Sequence, residues 1–202
     1  MISVLDIGIG NINSIQKALN YIGAKHVVIT DENGLKNAEK ILFPGVGNFG
    51  AASQKLHSTE MASVIRSEVL ENKTPFLGIC LGMQLLARSS NESGYHKGLG
   101  LVDAEVIKIP ESESTRIPHM GWNDVWHDSS GLFEKIESGS DFYFVHSFYM
   151  DIKDDRAKYF TTTHGVKVTA YVEKDNIYGV QFHPEKSQEK GIQFLKNFDD
   201  LC

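Results

Sequence analysis

The 202-residue chain is 41 % apolar and 23 % charged, with a formal net charge of −6. Such a balance is ordinary for a globular domain, and an acidic chain without basic runs is a poor match for nucleic acid or an anionic membrane. Nothing at the N-terminus reads as a signal peptide and no apolar stretch is long enough to span a bilayer. Two cysteines, Cys80 and Cys202, cannot build a disulfide framework, so a reducing, cytoplasmic location is expected.

Ser3 to Asp6 reads as a short apolar strand, and Gly8-Ile9-Gly10-Asn11 turns the chain. Ile12, Ile15, Leu19 and Ile22 then recur at helical spacing until Gly23 stops the helix. A second strand is predicted over His26 to Thr30 and a third over Ile41 to Phe43, closed by Pro44-Gly45-Val46-Gly47. A helical region follows, clearest from Met61 to Leu70. Phe76 to Ile79 is the fourth strand, and Met83 to Arg88 is expected to open the next helix. Strands alternating with helices predict an α/β fold, an open and mainly parallel sheet with helices on both faces.

The pattern changes after Ser89. Ser89 to Lys97 is polar and is expected to be a loop. Strand-like runs follow at Val102 to Ile109, Asn123 to His127, Phe142 to Phe148, Ala157 to Thr162, Val166 to Val172 and Ile177 to Phe182. Gln188 to Phe198 closes the chain as an amphipathic helix carrying Ile192, Leu195 and Phe198 on one side. With no linker or internal repeat, residues 1–202 are expected to form one domain: a parallel half and an antiparallel extension.

Chemistry concentrates at Gly78-Ile79-Cys80-Leu81-Gly82. A cysteine behind a strand is ordinarily an inert small hydrophobe. Two flanking glycines permit a tight turn and close backbone approach, which core packing does not need. They outline a nucleophile elbow, with the thiol at the start of a helix whose free amides favour a thiolate. Gln181-Phe182-His183-Pro184-Glu185 lies at the end of a predicted strand, the edge where open α/β sheets carry their sites. The plain alternative there is a surface histidine paired with a glutamate. The functional reading makes His183 the base for Cys80 and Glu185 the group that orients the imidazole. The glycines at 45 and 47 could turn an amide toward an oxyanion, joined by the amide of Leu81. Gly8-Ile9-Gly10 lacks GxGxxG spacing, and the histidines lack ligand spacing, so neither a dinucleotide cofactor nor a metal is expected. The aromatic run Phe142 to Tyr149 is core or meets a partner.

Together these residues resemble the class I (triad) glutamine amidotransferases, and among them the glutaminase subunits of imidazole glycerol phosphate synthase. The markers span the chain: Pro44-Gly45-Val46-Gly47-Asn48-Phe49, Gly78 to Gln84, Pro118-His119-Met120-Gly121-Trp122-Asn123, Tyr143-Phe144-Val145-His146-Ser147, and Gln181 to Ser187. The resemblance implies hydrolysis of L-glutamine to glutamate and ammonia through a Cys80 thioester, with His183 and Glu185 completing a triad. It implies an oxyanion hole from Leu81 with Gly47 or a flipped Val46 amide, and glutamine held by Gln84 and Ser147. It also implies a heterodimer with a (β/α)8-barrel cyclase, which receives ammonia for histidine biosynthesis. Asn11, Met120, Trp122, Tyr143 and Lys186 match interface positions. Isoleucines at 7 and 9, and Phe148 after Ser147, depart from the usual pattern on the partner side. They leave open a paralog supplying ammonia to nucleotide-sugar amidation for surface polysaccharide. A catalytically silent binding module is the other alternative.

Overall fold

A computed structural model describes residues 1–112 and 115–201. Cys202, expected to be a terminal thiol without a role, lies outside the described residues. In chain order the elements are β1 (Ile2–Leu5), α1 (Ile12–Tyr21), β2 (His26–Ile29), β3 (Lys40–Gly45), α2 (Phe49–His57), α3 (Met61–Leu70), β4 (Phe76–Cys80) and α4 (Leu81–Gln84). Then come β5 (Ser89–Ser90), β6 (His96–Lys97), β7 (Ala104–Lys108), β8 (His119–Val125), β9 (Ser140–His146), β10 (Phe148–Ile152), β11 (Lys158–His164), β12 (Val166–Lys174), β13 (Ile177–Val180) and α5 (Gln188–Leu201).

Seven strands form the main sheet in the order β11-β12-β13-β4-β3-β1-β2. The five strands from β13 to β2 run parallel, as the βαβ pattern predicts, and β11 and β12 add an antiparallel edge. Alternate residues of one strand feed two cores. On β3, Ile41 and Phe43 pack with Phe49, Ile65 and Phe76 on one face. Leu42 packs with Leu77, Phe182 and Phe194 on the other. This two-sided burial explains the unbroken apolar runs of the central strands.

A four-stranded sheet (β10-β7-β5-β6) and the β8–β9 hairpin form the extension. Within β9, Phe142, Phe144 and His146 are buried while Tyr143 and Val145 are half-buried, so the aromatic run serves both core and surface.

Several expectations need correction. The antiparallel extension is not a clean second half, because β13 returns to pair in parallel with β4. The helix expected over Met83 to Arg88 is one turn, Leu81–Gln84. The carbonyls that would continue it are taken by the returning chain: Leu99 N bonds Leu85 O at 2.7 Å, Leu101 N bonds Leu86 O at 2.9 Å and Gly100 N bonds Ala87 O at 3.0 Å. Two short pairings, β5 with β6 and β7, interrupt the expected loop at 89–97. The strand expected from Asn123 begins at His119, because its whole length pairs with β9. Ser147 divides the run expected to be one strand, and its carbonyl is engaged by Ile109 N at 2.9 Å.

Candidate active site

Cys80 ends β4 at φ 54°, ψ −107°, a backbone conformation that L side chains rarely adopt. Holding a non-glycine residue there costs about 1–3 kcal/mol, and the surrounding packing enforces it. A Cβ on Gly82 would lie 1.9 Å from the Phe43 carbonyl oxygen, and one on Gly78 would lie 2.5 Å from the Gly82 carbonyl oxygen. Both elbow glycines are therefore required by close approach of the turn to itself and to β3. The thiol is 6 % exposed and borders a pocket of about 280 Å³.

Val46, Gly47, Leu81, Gln84 and Ser147 line the same pocket, so the residues expected around the thiol converge from three parts of the chain. Val46 N donates to Ile9 O at 2.7 Å and so is engaged away from the pocket, while Gly47 sits at φ 101°. Leu81 opens the α4 turn, where intrahelical pairing leaves the first amides without partners. Gln84 uses its amide nitrogen within the protein, donating to Phe148 O at 2.9 Å and Gln181 Oε1 at 3.0 Å. Its carbonyl oxygen is the end left for a ligand.

His183 is brought to Cys80 by the β4–β13 pairing, in which Val180 stands beside Ile79. Its backbone is clamped: His183 N donates to Tyr143 O at 2.9 Å, and Ser187 Oγ donates to His183 O at 2.7 Å. His183 Nδ1 lies 2.8 Å from Glu185 Oε1, with the two side chains 3 % and 2 % exposed. The carboxylate can only accept, so it fixes the proton on Nδ1. Nε2 is buried without a hydrogen-bond partner. A buried polar atom left unpaired costs about 1–3 kcal/mol, which marks it as a group awaiting a reaction partner. Burial pulls the imidazole pKa down, but the Cys80 thiol and the Glu185 carboxylate outweigh it and lift the group to about 10. The cation is favoured because two acidic groups face one imidazole in a dry site.

The residues expected at the partner face also assemble. Met120 and Trp122 are 62 % and 48 % exposed on β8. The Trp122 and Tyr143 rings meet edge to face at 5.9 Å, and the Lys186 ammonium stands 5.8 Å from the Tyr143 ring centre. Asn11 lines a narrow crevice together with Val46, His183 and Glu185.

Sequence reasoning missed three residues here. Glu92 lines the pocket and accepts from Phe49 N at 2.7 Å, yet it comes from a polar loop that carries no local signal. His146 lines the pocket wall; its parity with Phe142 and Phe144 on one strand is the signal that it faces inward. Gln181 is fully buried beside Cys80. Its place before the histidine motif was visible, but not its partner.

The family model for class I glutamine amidotransferases matches residues 3–200. An imidazole glycerol phosphate synthase subunit HisH 1 from Campylobacter jejuni (strain 81-176) is 42 % identical, over 100 % of both chains. HisH 2 of Methanococcus maripaludis is 41 % identical over 98 % of each, and HisH of Aquifex aeolicus 42 % identical over 96 % of this chain and 94 % of its own. Among solved structures, a glutamine amidotransferase superposes with a TM-score of 0.77 at 18 % identity, covering 98 % of both chains. PurLQS from Thermotoga maritima superposes with a TM-score of 0.73 at 19 % identity, covering 98 % of this chain and 96 % of the other. These two likenesses speak for the fold. The chain belongs to the class I glutamine amidotransferase family, together with the HisH subunits of imidazole glycerol phosphate synthase.

Proposed function

We propose that this chain is the glutaminase subunit of an imidazole glycerol phosphate synthase, hydrolysing L-glutamine to glutamate and ammonia for a (β/α)8-barrel cyclase in histidine biosynthesis. The observation that carries this reading is the strained, pocket-facing Cys80 beside a buried His183–Glu185 pair. The 42 % full-length identity to HisH subunits supports the pathway.

The chemistry follows from the geometry. His183 is the base that takes the thiol proton. The Cys80 thiolate attacks the side-chain amide carbon of glutamine. The resulting oxyanion is received by the Leu81 amide and by Gly47, or by Val46 once its peptide rotates off Ile9 O. Collapse breaks the C–N bond, and His183 gives its proton to the departing ammonia. Water then attacks the thioester with His183 as base, releasing glutamate and restoring the thiol. Glu185 holds the imidazole and balances its charge. The lining carboxylate Glu92 suits the substrate ammonium, and Ser147 and the Gln84 carbonyl oxygen suit its polar ends. A missing oxyanion donor costs about 3 kcal/mol, so the Val46–Ile9 bond supports a resting state of low activity.

The exposed cluster of Met120, Trp122, Tyr143 and Lys186, with Asn11, supplies the docking face for the cyclase. Exposed aromatic rings and methionine are enriched at interface centres. A cytoplasmic, reducing location keeps the thiol free.

The test is ammonia release from glutamine by the chain saturated with its cyclase and nucleotide ligand. Cys80→Ala is expected to abolish it while the complex still forms; wild-type turnover in that variant overturns the assignment. An inactive wild-type complex would favour a binding module. Activity only with a nucleotide-sugar amidotransferase would move the chain to the paralogous role.

A further inference from the structure

Gln181 is fully buried at the end of β13, held by its backbone N–H on Ala170 O at 2.9 Å. Its amide nitrogen lies 3.6 Å from Cys80 Sγ, and its carbonyl oxygen accepts from Gln84 Nε2 at 3.0 Å. The orientation of this amide is forced. Gln84 Nε2 also lies 2.9 Å from the Phe148 carbonyl oxygen, which can only accept, so that atom is a nitrogen with two hydrogens to give. Its second hydrogen requires an oxygen on Gln181, which turns the Gln181 NH2 toward the sulfur.

We propose that Gln181 is a further catalytic residue, whose side-chain N–H donates to the Cys80 sulfur and stabilises it as a thiolate, with Gln84 as the positioning residue that fixes the direction of the bond. This deepens the glutaminase reading and rests on it. A neutral thiol is a weak acceptor, and a fully buried amide directed at one for packing alone would forgo a better partner. Against a thiolate the bond becomes charge-assisted and strong. The sulfur's other neighbour, the Val145 carbonyl oxygen at 4.0 Å, can accept from a thiol but repels a thiolate. Gln181 is therefore a polar side-chain contact that favours the charged form, in addition to His183 as the proton acceptor. The same bond assists twice. It stabilises the thiolate before attack, and again when the thioester intermediate collapses and the C–S electron pair returns to sulfur.

The experiment combines alkylation with kinetics on Gln181→Glu and Gln181→Leu. Glu keeps the shape and the acceptor for Gln84 but presents oxygen to sulfur; Leu removes the donor. A charge-assisted hydrogen bond is worth about tenfold to a hundredfold in such an equilibrium. The iodoacetamide rate at Cys80, read at neutral pH, is expected to fall by about tenfold or more in both variants. In the cyclase complex kcat falls with it, while KM for glutamine moves by less than about threefold. Wild-type alkylation with unchanged kcat overturns the proposal, as does a rise in KM alone. A variant-free measurement covers misfolding: the Gln181 side-chain amide proton resonance in the intact protein is expected to move when Cys80 is alkylated, and a stationary signal overturns the proposal. Alkylation reports on Gln181 whether or not glutamine is turned over, so an inactive wild-type complex would count against the glutaminase reading alone.

Discussion

Acidification from pH 7 to pH 5 tests the polar core behind the pocket. His119 Nδ1 lies 2.9 Å from His146 Nε2, and His146 Nδ1 lies 2.8 Å from the Phe148 carbonyl oxygen. That oxygen only accepts, so His146 is protonated at Nδ1 and offers Nε2 to the Nδ1–H of His119. Asn123 Nδ2, 3.1 Å away, donates to His119 Nε2. Both rings are neutral, and a second proton on either would set donor against donor. Burial lowers the His119 pKa to about 4, helped by His164. Burial lowers His146 to about 3 against the pull of the Phe148 carbonyl, with His119, His164 and His183 adding to the fall. Folded values below the ordinary 6.5 mean that the unfolded chain binds these protons first. Their contribution is full above about pH 6.5 and is lost as pH falls toward the folded values. At pH 5 each ring still neutral in the fold forfeits about 2 kcal/mol, about 4 for the pair. His183 has the opposite sign. Raised to about 10, it contributes fully below about 6.5 and loses its contribution as pH rises through 10. It returns less than about 1 kcal/mol over the same interval, leaving a net loss of about 3 kcal/mol. Urea unfolding at the two pH values reads this directly, and His146→Gln should remove about half of the dependence. A wild-type loss below about 1 kcal/mol, or an equal loss in His146→Gln, would refute the buried neutral pair.

Gly82→Ala is expected to destabilise by at least about 3 kcal/mol, because its Cβ would collide with Phe43 backbone, while Gly23→Ala meets open space and costs only the φ strain, about 1 kcal/mol. Equal melting shifts for the two would show that the elbow is not sterically set. Glu185→Gln should lower glutaminase kcat about tenfold to a hundredfold and His183→Asn about a thousandfold or more, since orientation ranks below proton transfer. A Glu185→Gln enzyme at the parental rate would remove Glu185 from the mechanism.

The elements most legible in the chain were those whose signals are local. Glycine at 78 and 82 announces a turn that no side chain fits, and Pro184 opens a short turn directly after His183. Unbroken apolar runs at Ile41–Phe43 and Phe76–Ile79 announce buried parallel strands. The helix after Cys80 was misjudged because Leu85, Leu86 and Ala87 are good helix formers, and only the return of residues 99–102 takes their carbonyls.

By itself, then, the sequence determined the alternation of strands and helices, the elbow at Cys80 and the His183–Glu185 pair. Each rests on backbone constraints or spacing within a few residues. Tertiary structure alone decided that β13 returns to lie beside β4, and with it that Gln181 reaches the sulfur, Glu92 closes the pocket and His146 links to His119. Those contacts join residues far apart in the chain, where no local propensity acts. They are chosen by which partners can satisfy a buried polar group once the sheet has closed.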